Sequence, residues 1–192
     1  MREPAAPFHL PSPWRLVPPS PWRLVPLLAL VALAGCASLT NKKEPPPCPP
    51  VYILGDTQHV TKYRQGAGRD LTDVELEAEV VGFKGECHYD DKGAIVDLGV
   101  SFQVKRGPGA AGRDSELSYF VAIPKFYPAE SAKAVLTTPV HFPDGVETVR
   151  VDDEGVTMRI PVQNREVIDQ YEIYVGFQTT PEQLELNRKM RR

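Results

Sequence analysis

Tryptophan is nearly missing from this 192-residue chain: Trp14 and Trp22 are its only examples, and nothing after position 22 carries one. That weakens a carbohydrate-binding reading, which relies on large flat rings, and excludes an antibody-type domain with a core tryptophan. Cysteine is scarce too, at Cys36, Cys48 and Cys87, with no CxxC and no HxxxH spacing to suggest a metal site. There is no G-x-S-x-G elbow, and no glycine loop ends in Lys-Ser/Thr to cradle a phosphate. The longest apolar run, Leu27 to Gly35, is far short of the ~20 residues that span a hydrocarbon core. Lysine and arginine total 22 against 25 acidic residues, a formal charge of −3, which lacks the basic footprint nucleic acid demands. The same composition excludes collagen-like, coiled-coil, multi-pass membrane and disordered acidic chains.

What the chain has in excess is proline, and it is unevenly placed: 13 of the 20 prolines lie in the first 50 residues. This leader carries Arg2, Arg15 and Arg23, then the apolar run, then small residues and Cys36. A positive segment, a short apolar segment and a small-residue end make a secretory signal. Its last four residues, Leu33-Ala34-Gly35-Cys36, resemble the lipobox of bacterial lipoproteins. In that family the cysteine thiol receives a diacylglyceryl group and cleavage leaves it as the first residue. The resemblance implies a signal peptide over 1–35, a lipidated Cys36 and a membrane as partner. Two or three acyl chains, at ~0.8 kcal/mol per buried methylene, hold almost permanently. In a Gram-negative bacterium, Ala37, where an aspartate would favour inner-membrane retention, resembles the pattern exported to the outer membrane, which implies its periplasmic face. An eight-residue repeat, Pro-Ser-Pro-Trp-Arg-Leu-Val-Pro at 11–18 and 19–26, is too short for a solenoid unit and lies in the segment to be removed.

Removing 1–35 takes away three arginines and Glu3, leaving 19 basic and 24 acidic residues, a formal −5. Residues 36–50 then form a tether whose Pro45-Pro46-Pro47-Cys48-Pro49-Pro50 end favours extended polyproline geometry. At ~3.1 Å per residue it reaches at most ~40 Å. With Cys36 lipidated, Cys48 and Cys87 remain as an even pair in an oxidising compartment and are expected to form a disulfide. Closing a loop of about 40 residues is valued at roughly 4 kcal/mol by the chain-entropy model. A metal site on Cys87-His88 is the alternative, disfavoured because adjacent strand residues point to opposite faces.

From Val51 the apolar period is two. Val74, Leu76, Ala78 and Val80 alternate with glutamates, and Val96, Leu98, Val100, Phe102 and Val104 alternate with mostly polar residues. Leu117 to Ile123, Val156 to Val162 and Tyr171 to Phe177 repeat the pattern. Half-buried antiparallel strands write this alternation. Asp90-Asp91-Lys92-Gly93, Phe142-Pro143-Asp144-Gly145 and Asp152-Asp153-Glu154-Gly155 read as hairpin turns, with glycine where positive φ is wanted. The fold expected over 51–180 is therefore an all-β, immunoglobulin-like antiparallel β-sandwich of seven to nine strands, a small β-barrel being the runner-up. The glycine-rich stretch Arg106 to Arg113 reads as a mobile loop. Residues 181–192 read as a short C-terminal helix, with Thr180 as N-cap, Pro181 at N1 and Gln183 completing a capping box. Its closing cations suit the helix dipole, or anionic headgroups as the sharper alternative.

The whole mature chain resembles single-domain envelope lipoproteins of Gram-negative bacteria, in its cysteine near the tether, Gly85-Glu86-Cys87 and the Thr-Pro-Glu-Gln-Leu near the end. That resemblance brings no activity with it. His59, His88 and His141 fall in dissimilar contexts, and the acid clusters Asp90-Asp91 and Asp152-Asp153-Glu154 lack the D-x-D-x-D-G order of a calcium loop. The expected function is a non-enzymatic binding or assembly module in the cell envelope, with no catalytic residue, metal or cofactor and with an envelope protein as its partner. Exposed tyrosines and sheet edges offer the interfaces. The alternative is a hydrolase or metal-dependent enzyme using His59, His88 or His141.

Overall fold

The computed structural model describes residues 47–66, 68–162 and 165–190. The expectations for the signal peptide, Cys36 and most of the tether lie outside the described residues. Eight strands form two four-stranded sheets: β1 (Val51–Ile53), β8 (Ile173–Phe177), β5 (Asp114–Ala122) and β6 (Lys133–His141) in one; β2 (His59–Tyr63), β3 (Val74–Asp90), β4 (Gly93–Arg106) and β7 (Thr148–Ile160) in the other. Every pairing is antiparallel except that of β1 with β8. The all-β sandwich expected from the alternation is what forms, and the sheets do not close into a barrel.

Connectivity interlocks the two layers. Consecutive strands β4 and β5 lie in opposite sheets, as do β7 and β8, while β4 pairs with β7 and β5 with β8. This is the B–E and C–F arrangement of Greek-key sandwiches. Between the layers, alternate residues of each strand pack inward: Leu76, Val80, Leu98, Phe102 and Val104 from one sheet, Leu117, Tyr119, Val175 and Phe177 from the other. Phe102 is the centre, its ring 5.1 Å from Tyr119 and 5.5 Å from Phe177. Each such buried side chain contributes about 1.5–3 kcal/mol.

Two segments containing glycine differ from expectation. Asp152 to Gly155 lies inside β7 rather than between strands, where the β4–β7 register shifts between Leu98 and Val100. Gly155 has φ +74, and a Cβ there would sit 1.9 Å from the Leu98 carbonyl oxygen. A bulge needs the same positive-φ glycine as a tight turn, which is why the two look alike in sequence. The Arg106 to Arg113 segment is pinned, not loose: Gly107 N–H donates to Glu75 O at 2.8 Å and Gly109 N–H to Val74 O at 2.8 Å. Both glycines are buried where side chains would strike the Val74 and Asp73 backbone. The 90–93 turn is the expected hairpin, with Gly93 at φ +135, whereas the turn at Gly145 (φ +75) carries the chain from one sheet to the other.

The C-terminal helix, α1 (Pro181–Met190), starts with the expected reciprocal cap: Gln183 N–H donates to Thr180 Oγ1 and Thr180 N–H to Gln183 Oε1, both at 3.2 Å. It docks through buried Asn187, whose amide donates to Asp56 O and His59 O, each at 2.9 Å. Of its cations, Arg188 is engaged by Asp56 and Glu185, which hold its guanidinium above its ordinary pKa. Cys48 and Cys87 form the expected disulfide, with Cα atoms 5.8 Å apart. It fastens the tether to β3 just before Pro50 O accepts from Ile173 N at 2.9 Å on the opposite sheet. Among the described residues no helix is long and apolar enough to cross a membrane.

Candidate functional site

The three histidines lie apart. His59 opens β2, exposed, 3.9 Å from Glu79; His88 is exposed on β3; His141 ends β6 with Nδ1 2.7 Å from the Asp114 carboxylate. The last pair is 68% and 85% exposed, so water competes for both groups. Among the described residues no three His, Cys, Asp or Glu side chains are grouped to hold a metal ion.

The acid clusters are committed to structure. Asp152 accepts from Ser101 Oγ at 2.5 Å and from Arg150 Nε at 3.1 Å, and these bonds, Ser101 first, lower its pKa. Asp153 accepts from Gly155 N–H at 2.6 Å across the bulge. Asp90 accepts from Lys92 N–H at 2.8 Å, which shapes the β3–β4 turn. The aromatic pairs also divide. Tyr119 is fully buried and Phe120 is nearly so beneath Lys133, whose Nζ lies 4.6 Å from the ring centroid. Tyr174 packs on Tyr52 at 5.7 Å, and Tyr127 is left 81% exposed.

The feature with the form of a binding site is an apolar cleft of about 470 Å³ between β6 and β7, the two strands that end their sheets on the same side. Val121 and Ile123 line it from β5 and its extension, Ala134 from β6, Val156 and Met158 from β7. Phe126 closes it from the 124–132 segment, a chain of 3-10 turns anchored by Ile123 N–H donating to Ala132 O at 2.8 Å. That segment is braced from behind: the Phe126 and Tyr171 rings are 5.8 Å apart, and Lys125 Nζ donates to Gln170 Oε1 at 2.6 Å. Proline at 124 and small residues at 129, 131 and 134 keep large side chains from filling the gap between the edges.

Among the described residues one charge stands at the rim. Arg159 Nη1 lies 2.7 Å from both carboxylate oxygens of Asp90, and this bond, ahead of that from Lys92 N–H, lowers the Asp90 pKa. The guanidinium is thereby held beside the mouth. A volume of this size with apolar walls and one or two placed polar groups matches the ordinary small-ligand pocket. The larger hollow beside α1, about 720 Å³, is shallower in chemistry, since its Arg69 and Glu182 already pair with each other.

No sequence motif announced this cleft, because its walls follow the same period-two pattern as the core. The available signal was the cluster of proline, alanine and serine between Ile123 and Ala134, where a hairpin joining two core strands would ordinarily be polar and tight. No protein-family model, no curated protein and no solved structure matches the chain.

Proposed function

We propose that this chain is a lipid-anchored protein of the bacterial envelope that acts as a non-enzymatic binding module, taking an apolar ligand into the cleft between β6 and β7. The cleft carries the reading: an apolar space of about 470 Å³, open at its mouth, with a cation fixed at the rim. Leaving such a surface to water is costly, at about 25 cal/mol per Å² of apolar area. Its position fits an anchored protein. The tether enters at Pro47, whose carbonyl accepts from Tyr89 Oη at 2.7 Å, next to Asp90, the residue that holds Arg159.

Two measurements test the two halves of this reading. Detergent-free protein should bind a fluorescent fatty acid saturably, and Ala134→Arg, which projects a charged chain into the mouth from an exposed position, should abolish that binding with no change in thermal midpoint. Absence of saturable binding, or binding indifferent to Ala134→Arg, refutes the ligand site. Cys36→Ser should move the protein from the membrane pellet to the soluble fraction, and unchanged pelleting refutes the anchor.

A further inference from the structure

The apolar cleft between β6 and β7 is graded from its floor to its mouth. Val121 and Ile123, the deepest of its lining residues, are each 4% exposed; Val156, Met158 and Phe126 are half-buried, and Ala129, Ala134 and Pro161 are exposed. Among the described lining residues only Ser131 and Arg159 have polar side chains, and both stand at the exposed end. A molecule that is polar throughout would give up its hydrogen bonds to water against Val121 and Ile123 and receive none in return. One that is apolar throughout would cover the floor and leave the polar end idle. The gradient therefore fits an amphiphile, tail inward and head at the mouth. At about 470 Å³ the space lies in the lower half of the range of small-ligand pockets, about 300–1,000 Å³, which suits one chain and not two.

The charge of the head follows from Arg159. Its Nη1 is engaged by both oxygens of Asp90, whereas its Nε and Nη2 have no partner among the described residues. A guanidinium carries five N–H donors in one planar fork that matches carboxylate and phosphate oxygens, so bracing one corner leaves the remaining donors unused. Asp90 is the acid that would oppose a second anion here, and its charge is shared with Lys92 N–H at 2.8 Å. The Arg159 and Asp90 side chains are 43% and 32% exposed, so a head docked on Arg159 keeps part of its hydration.

We propose that the ligand of this cleft is a single-chain amphiphile with an anionic head, a carboxylate or a phosphate monoester, its tail against Val121 and Ile123 and its head on the free donors of Arg159. The inference rests on the reading of the cleft as an apolar-ligand site and adds to it the charge of the ligand and the residue that selects it. Asp90 is a positioning residue: it fixes the guanidinium at the mouth and takes no part in the contact with the head. A head with two oxygens accepts from two N–H groups of the fork at once, which a neutral hydroxyl cannot do, and charge-assisted bonds of this kind are about twice as strong as neutral ones.

The test holds the tail constant and varies the head. Dodecanoate, dodecyl phosphate and dodecanol are each titrated by calorimetry, at neutral pH and below micelle formation, into the full chain in detergent-free buffer. The wild-type chain should bind at least one of the two anions about tenfold or more tighter than dodecanol. A preference for dodecanoate identifies a free fatty acid as the source of the head, and a preference for dodecyl phosphate a phosphate-headed lysolipid; either supports the proposal. Arg159→Gln should remove the advantage and leave dodecanol binding unchanged, which also shows that the variant is folded. Because that change unpairs Asp90, Arg159→Gln combined with Asp90→Asn is the control, and it should lose the preference as the single variant does. Recovery of anion binding in the double variant would trace the loss to repulsion by Asp90 and overturn the proposal. Dodecanol binding as tightly as both anions, or an anion preference that survives Arg159→Gln, overturns the anionic head and leaves the apolar site in place. Absence of saturable binding by all three probes overturns the apolar site itself, and this inference with it.

Discussion

Replacing Tyr119 with phenylalanine changes one atom in the most crowded part of the sandwich. The ring is fully buried, 5.1 Å from Phe102, and its hydroxyl has no hydrogen-bond partner among the described residues. Burial first, then the charge of the Asp153 carboxylate and a contact with it that falls outside hydrogen-bond geometry, push the phenol well above its ordinary pKa, so the group stays a neutral donor whose one nearby acceptor is poorly aligned. Asp153 points inward because the Gly155 bulge shifts the β7 register, and its Oδ1 is already taken by Gly155 N–H. A buried hydroxyl without a partner costs about 1–3 kcal/mol, and phenylalanine fills the same space without a cavity. Tyr119→Phe should therefore stabilise the domain by about 1 kcal/mol, raising the thermal midpoint by roughly 3–5 °C. Urea denaturation with the disulfide intact measures this, and an unchanged m-value shows that the same surface is exposed. A loss of about 1 kcal/mol or more would refute the reasoning, since that is the signature of breaking a real bond to a charged acceptor. A double-mutant cycle with Asp153→Asn gives the second check: additive effects mean that the two groups are not bonded in the folded state.

Reducing the Cys48–Cys87 disulfide, or replacing both cysteines with serine, reopens a loop with a sequence separation of 39 and should cost up to about 4 kcal/mol, read from the urea midpoint with and without dithiothreitol. A shift below about 1 kcal/mol would mean that the tether end already behaves as a free segment in the folded state. Gly155→Ala meets both a positive φ and the Leu98 carbonyl and should destabilise by about 2 kcal/mol or more, whereas Gly82→Ala, in open space with ordinary φ, should be close to neutral by thermal melting. Asp90 and Asp152 have lowered folded-state pKa values, Arg159 and Ser101 being the main causes. Their contribution is present above the unfolded carboxylate value and is lost as pH falls through the lower folded one. Asp90→Asn should thus lower the urea midpoint at neutral pH and converge with wild type in strong acid. Equal effects at both ends would remove the ion pair from the account.

What could be read from the sequence was whatever a short local pattern determines. Val74 to Val80 and Val96 to Val104 alternate because one face of each strand meets the core and the other meets water, and that requirement needs no knowledge of the partner strand. The Thr180–Gln183 cap is equally local. Asp152 to Gly155 was opaque for the opposite reason. Aspartate followed by a positive-φ glycine serves a two-residue turn and a bulge alike, and only the pairing of Val156 with Leu98 and of Asp153 with Val100 decides between them. Gly107 and Gly109 look like flexibility and are instead close approach to the Val74 and Asp73 backbone, a contact that exists only after the chain has folded. β2 and β6 escaped because edge strands carry lysine, threonine and, at Pro139, proline, where a central strand carries valine. The same reasoning explains why the cleft was invisible. It is a set of core-like residues with no strand beyond β6 and β7 to cover them among the described residues. It is defined by where pairing stops, a property of the sheet order and of no single stretch of residues.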